Sequence, residues 1–318
     1  MIIIIILIMG VKLLSKLLKQ ECKNVVKHIH LSELYGKKIC IDTSIYIYRY
    51  KTTNTMIENF YLMCSIFKYY NIVPIFVFDG IPPKEKHEEL EQRRRNRYNA
   101  WVQYEEMIEK YGSNVPSTEV EKLNKIKRSL IKIRNNDIII LKQLFDSYGI
   151  QYINAVGEAD KLCAALVIKK KVHAVLTEDM DLFAYNCPYI LRYFSLANHK
   201  CLYYDLSEIH KRLNVSRNDF QKLCVLSGND YYSSNKNIFY YMKLYKKYSK
   251  KNIKIDFIDW LLEKDELDSE QIENIKHILN LYNDITDEIK NYPYKAITYK
   301  NIDIEDLKNV LKRERFVF

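Results

Sequence analysis

Four apolar, strand-like runs punctuate the chain, and each stops at one or more acidic residues. They are Lys38-Ile-Cys-Ile-Asp42, Ile72-Val-Pro-Ile-Phe-Val-Phe-Asp79, Gln151-Tyr-Ile-Asn-Ala-Val-Gly-Glu158 with Asp160 beyond it, and Ala174-Val-Leu-Thr-Glu-Asp179-Met-Asp181. Runs this apolar read as strands buried on both faces, the pattern of a parallel sheet covered by helices. The carboxyl ends of such strands open onto the ligand crevice. Acids delivered there from four strands converge and cannot all stay ionised without cations between them. Mg²⁺ or Mn²⁺ suits carboxylates and water best.

Between the strands the apolar positions recur at helical spacing. Gly10 to Leu18 and Ile57 to Tyr70 are helix candidates, and Leu31 to Tyr35 is a short turn. The second helix between the first two strands makes a β-α-β unit, whose crossover is right-handed. A helix ends near Ser147-Tyr-Gly149 with Gly149 as its cap, and another runs from Ala159 to Lys169. Ile190 to Phe194 and Cys201 to Asp205 form a hairpin bridged by Asn198. Asp205 or Ser207 caps a helix through Leu213, and Phe220 to Leu226 is a further helix ending at Ser227-Gly-Asn-Asp230. From about Asp256 the chain is amphipathic helix.

Pro82 to Arg134 breaks the pattern. It holds thirteen basic and nine acidic residues, and Gly112-Ser-Asn-Val-Pro116 interrupts its helical spacing. An insertion this long between two strands exceeds what a connection requires, and such elements cover or gate sites.

Composition adds a partner class. Fifty Lys and Arg against 40 Asp and Glu give a net charge of +10 and a pI near 9.0, which favours a polyanion. Seven scattered cysteines without a CxxC pair argue against a disulfide framework or a zinc site and for a reducing intracellular compartment, with Cys40, Cys163 and Cys224 as core residues. Met1-Ile-Ile-Ile-Ile-Ile-Leu-Ile8 is too short to span a membrane and lacks the flanks of a signal peptide. Residues 1–8 are expected to be an apolar extension, with Met9 as an alternative start.

Six segments then appear in a telling order: Met9-Gly-Val-Lys-Leu-Leu-Ser-Lys-Leu-Leu18, Cys40-Ile-Asp-Thr-Ser-Ile-Tyr-Ile-Tyr48, Val77-Phe-Asp-Gly-Ile-Pro-Pro83, Val156-Gly-Glu-Ala-Asp160, Thr177-Glu-Asp-Met-Asp181 and Leu226-Ser-Gly-Asn-Asp-Tyr231. In these the chain resembles the flap endonuclease family of structure-specific 5′ nucleases. The resemblance implies an α/β fold of PIN-like type: a mostly parallel twisted sheet flanked by helices, a helical arch inserted into it, and a helix-two-turn-helix-like region towards the C-terminus. It divides the chain into a nuclease region at 9–110 that includes the start of the arch, the second part of the arch at 111–135, an internal nuclease region at 136–250 and a helical tail at 251–318.

Position by position, the resemblance assigns Asp42, Asp79, Glu158 and Asp160 to one metal-binding group and Asp179, Asp181 and Asp230 to the other, for two Mg²⁺ ions with Mn²⁺ as a substitute. Lys86 and Arg93 fall where the family places its basic pair; on a helix, a separation of seven puts both on one face. Together with Asp181 they make the catalytic set. Tyr48 falls where an aromatic ring stacks on a base beside the scissile phosphate, and Gly10 resembles the family's second residue, near the DNA junction. The expected partner is DNA with a flap, nick or branch, met by a monomer with no membrane attachment, in a nucleus or at a viral or cytoplasmic replication site. No sliding-clamp motif is present.

The family's glycine-rich hairpin, whose carbonyls hold a monovalent cation, is here Asp230-Tyr-Tyr-Ser-Ser-Asn-Lys-Asn-Ile-Phe239. The missing glycine argues against that cation site, and Asn235 or Asn237 is expected to take the left-handed position instead. Lys236 to Lys251 carries six lysines interleaved with tyrosines, and Lys236, Lys243, Lys246 and Lys247 are expected to hold duplex phosphates. The competing readings are a PIN-like ribonuclease and a non-catalytic DNA-junction-binding relative.

Overall fold

In the computed structural model, residues 10–112, 114–251, 254–285, 299–313 and 316 are described; the apolar residues 1–8 and Met9 lie outside them. Strands β2 (Lys38–Asp42), β3 (Val73–Phe78), β4 (Gln151–Asn154), β5 (Ala174–Leu176) and β6 (Tyr189–Ser195) run parallel, and β7 (Lys200–Asp205) and β1 (Lys27–His30) add antiparallel at one edge. The described residues form a seven-stranded sheet in the order β1-β7-β6-β5-β2-β3-β4.

The pleat sorts the strand residues onto two cores. Cys40, Ile75, Val77, Val175 and Ile190 face one side, while Ile39, Ile41, Phe76, Phe78, Leu176 and Leu191 face the other. Alternate side chains point to opposite faces, so a strand apolar throughout needs cover on both. α2 (Thr43–Lys51), α3 (Met56–Tyr69) and α6 (Asn135–Tyr148) supply it on one side. On the other lie α1 (Leu14–Glu21), α7 (Ala159–Ile168), α8 (Asp181–Ala184), α10 (Arg217–Leu226), α11 (Ile238–Ser249), α12 (Phe257–Leu262) and α13 (Ser269–Asn283). Burying residues such as Phe60, Phe76 and Phe145 contributes about 1.5–3 kcal/mol each. α9 (Leu206–Leu213) follows β7, with the Asp205 carboxylate accepting from Ser207 N–H at its N-cap.

Two strands depart from the sequence reading. Among the described residues β4 pairs only with β3, and it is half-exposed, so it is an edge strand rather than one buried on both faces. β1 was not foreseen because Lys-His-Ile-His offers one buried residue, Ile29, and no apolar run.

The charged insertion is a helix pair, α4 (His87–Tyr111) and α5 (Ser117–Ser129), with its own small cluster of Ala100, Met107, Leu123 and Ile126. Gly112, at φ 55°, and Pro116 make the turn between them. The C-terminal helices are part of the body: Phe257, Trp260, Ile275 and Tyr282 lie in the α7-side core, and Val310 and Leu311 of a helix at Ile304–Arg313 lie in the other. All seven cysteines are buried free thiols. No helix among the described residues is long and apolar enough to cross a membrane.

Candidate active site

Asp42 closes β2, and its Oδ2 accepts a hydrogen bond from Thr177 Oγ1 at 3.0 Å, just past β5. The same hydroxyl oxygen accepts the Asp179 N–H at 3.0 Å, and Asp179 Oδ1 accepts the Asp181 N–H at 2.8 Å. Thr177 thus ties Asp179 to Asp42, and Asp181 follows beside Asp179 in the same turn. Glu178, next to Asp179 in sequence, is committed elsewhere: it accepts the Tyr193 N–H at 2.8 Å and lies 3.7 Å from Arg49 and 3.8 Å from Arg192.

Asp79 follows β3 and is the exposed member of the set; its Oδ1 accepts the Ala159 N–H at 2.9 Å, in the first turn of α7. That tie brings Glu158 and Asp160 beside it. Glu158 is bonded by the Lys86 ammonium and by the Tyr231 hydroxyl. Asp230, past α10, lies 2.9 Å from Lys86 Nζ and 3.4 Å from Arg93 Nη2, and accepts the Gly10 N–H at 3.3 Å. The two acid groups are therefore contiguous, with Lys86 bridging Glu158 of one to Asp230 of the other.

Lys86 lies just outside the helix that carries Arg93, yet both reach Asp230 Oδ2. Lys86 ends a 3-10 turn (Lys84–Lys86) and stands at the N-cap of α4, because Pro82-Pro83 keeps the chain extended up to that turn. Arg93, in α4, also pairs with Glu89.

Burial first, and then neighbouring carboxylates, raises four of these acids. Asp42 is pushed well up by burial, Asp79 and Asp179; Asp160 by burial and Glu158; Asp181 by burial, Asp230 and Asp179. Asp179 rises to about 6 through burial and Asp230. Burial acts to lower the Lys86 ammonium, but Asp230, Asp160 and Glu158 outweigh it and push it up. Asp181 Oδ1 is buried, without a hydrogen-bond partner among the described residues. A donor set made only of carboxylates, four of them held back from ionising by burial and crowding and one with an oxygen unpartnered among the described residues, suits a hard divalent cation. The side chains do not form a ready-made cage: among the described residues no group of three or more His, Cys, Asp or Glu is drawn together to hold an ion.

Gly10 packs against these acids. A Cβ there would come within 2.5 Å of Asp179 Oδ1 and of Asp181 Oδ1, and its φ is +77°. Both facts require glycine.

The profile of the XPG N-terminal domain matches residues 9–100, and that of the XPG I-region matches residues 149–230. Flap endonuclease 1 of Enterocytozoon bieneusi is 32% identical over 260 residues, 75% of this chain and 71% of that protein.

The chain belongs to the flap endonuclease family.

Flap endonuclease 1 of Xenopus tropicalis is 30% identical over 242 residues, 70% of this chain, and that of Homo sapiens 31% identical over 245, 71% of this chain. These matches span 61% and 62% of the two proteins' own lengths. The fold is shared with the catalytic core of Rad2 in complex with DNA substrate, at TM-score 0.67 and 20% identity over 94% of each chain. It is shared too with flap endonuclease-1 from Methanococcus jannaschii, at TM-score 0.61 and 22% identity, covering 96% of this chain and 93% of that one.

Within this family fold, Tyr48 is 41% exposed on α2, and Lys243, Lys246 and Lys247 are exposed along α11. Lys236 lies over the Tyr240 ring at 4.7 Å. The asparagine expectation fails: neither Asn235 nor Asn237 has a positive φ, and Asn237, at φ −120°, instead caps α11 by accepting from Phe239 and Tyr240 N–H. Its side chain satisfies the first turn of α11, which calls for extended rather than left-handed backbone.

Three partners of the acids escaped the sequence reading. Thr177 and Tyr231 sit inside quoted motifs, where an adjacent acid was the available signal. Tyr282 donates from its hydroxyl to Asp181 Oδ2 at 3.0 Å from 101 residues away, and no local pattern marks it.

Proposed function

We propose that the chain is a divalent-cation-dependent, structure-specific 5′ nuclease that hydrolyses phosphodiester bonds in flap or branched DNA, in replication, repair or recombination. The observation that carries this reading is the joining of the strand-end acids to Asp230 through Lys86, with Arg93 alongside. Related proteins are named flap endonuclease 1, and one structural relative, human GEN1, was solved in complex with Holliday junction DNA.

Asp42, Asp79, Glu158 and Asp160, with Asp179, Asp181 and Asp230, would hold Mg²⁺, or Mn²⁺ in its place. Two such ions, when bound, lower the pKa of a water and stabilise the leaving oxygen. Lys86 and Arg93 direct positive charge to the nonbridging oxygens, where charge grows in the transition state. Tyr48 offers its exposed ring to the neighbouring base, a contact worth roughly 1–3 kcal/mol. The α4–α5 pair forms the arch for a single-stranded 5′ end. The α11 lysines and Lys236 neutralise duplex phosphates, and the loop between Asp230 and α11 grips by side chains rather than through a monovalent cation.

A labelled double-flap DNA, its RNA counterpart and a linear duplex, each with Mg²⁺ or EDTA, test the reading. Metal-dependent cleavage near the flap base is expected. Preference for RNA, or binding without cleavage, contradicts it.

A further inference from the structure

Tyr282 is fully buried on α13, beyond the region that the XPG I-region matches, yet it touches the acid cluster. Its hydroxyl donates to Asp181 Oδ2 at 3.0 Å, while Asp181 Oδ1 is buried and has no partner among the described residues. The ring is clamped edge-on by Tyr185, with centroids 4.6 Å apart, and by Tyr231, at 5.4 Å. Tyr231 in turn donates to Glu158 Oε2, and its oxygen lies 3.3 Å from the Tyr185 hydroxyl. Three phenols from α13, the end of α8 and the loop after α10 therefore form one wall of the cluster. Ile272, Ile275 and Ile278 seat α13 in the core, which fixes the position of Tyr282.

We propose that Tyr282 is a positioning residue: its O–H engages one oxygen of Asp181 and so leaves the other directed to a divalent cation, making α13 part of the active centre. The inference rests on the nuclease reading. A buried hydroxyl donating to one carboxylate oxygen restricts rotation of that carboxylate, and partners of this kind typically change metal affinity by about 10–100-fold. The ring contacts are independent of the hydroxyl, so Tyr282→Phe deletes the hydrogen bond and keeps the packing.

The test is Mn²⁺ binding to the DNA-free protein, read by electron paramagnetic resonance, together with kcat and KM on double-flap DNA and a thermal melt in EDTA. Tyr299→Phe, which removes a hydroxyl bonded to the Ile72 carbonyl far from the acids, is the control. The expected result for Tyr282→Phe is Mn²⁺ binding weakened by about tenfold or more, a lower kcat, an unchanged KM and a retained melting transition. Wild-type Mn²⁺ affinity and kcat in a folded Tyr282→Phe protein overturn the inference and leave the nuclease reading standing. Absence of Mn²⁺ binding and cleavage in the wild type overturns both. A cycle with Asp181→Asn covers the case in which Tyr282→Phe perturbs folding: the Tyr282 effect on Mn²⁺ affinity should vanish in the Asp181→Asn background, and an equal loss in both backgrounds overturns the inference.

Discussion

Lys86 Nζ lies 2.9 Å from Asp230 Oδ2, 144 positions along the chain, and the same ammonium bonds Glu158. One cation thus serves two carboxylates, and it is supplied by the turn that leads into α4. The start of α4 and the acid cluster are therefore linked through this residue.

Lys86→Ala should therefore leave buried carboxylates facing one another. Breaking a buried pair from one side costs on the order of 3 kcal/mol. Thermal melts in EDTA should show a clear drop, and Mg²⁺ should recover more stability in the variant than in the wild type. Equal Mg²⁺ effects on both proteins would contradict this role.

Asp179 sets a pH dependence. Its folded-state value, about 6, is above the ordinary 3.8, so burial and Asp230 disfavour the ionised form. The associated stability is present below about pH 4 and is lost as pH rises through 6. At neutral pH the ionised carboxylate is a net cost, on the order of 3 kcal/mol. Asp179→Asn should raise the melting temperature in EDTA at neutral pH, with the gain shrinking towards pH 4. A variant that is no more stable at neutral pH would count against the assignment.

Gly10→Ala places a Cβ against Asp179 and Asp181 at a positive φ. The substitution should cost more than about 1 kcal/mol of stability and lower turnover by about tenfold or more, since a carboxylate must move aside. Wild-type turnover in a purified Gly10→Ala protein would show that the close approach does not matter.

Lys243, Lys246 and Lys247 are exposed along α11. Replacing all three by Ala should reduce the slope of log affinity for duplex DNA against log salt by about 0.9 for each phosphate that is no longer neutralised. An unchanged slope assigns them to solvent.

The parallel sheet and most of the acids were legible because both follow from local pattern: apolar runs fix the strands, and an acid at each carboxyl end needs no long-range information. β1 was illegible because an edge strand needs only one apolar residue, Ile29, and its partner β7 lies far along the chain. Spacing alone puts Lys86 on a helix face with Arg93, whereas the prolines before it place it in the preceding turn. Tyr282 carried no signal among 27 tyrosines, since its role depends on how α13 docks. Backbone tolerance is what local sequence offers at Asn237, whereas its side chain, as a helix cap, decides the geometry.

The central claim is tested most directly by single-turnover cleavage of a 5′-labelled double-flap DNA by the wild type and Asp181→Ala, each in Mg²⁺ and in EDTA, with DNA binding measured alongside. The account predicts product near the flap base from the wild type in Mg²⁺ alone, and no turnover by Asp181→Ala despite retained binding. Appreciable cleavage by Asp181→Ala, or cleavage by the wild type in EDTA, would contradict it.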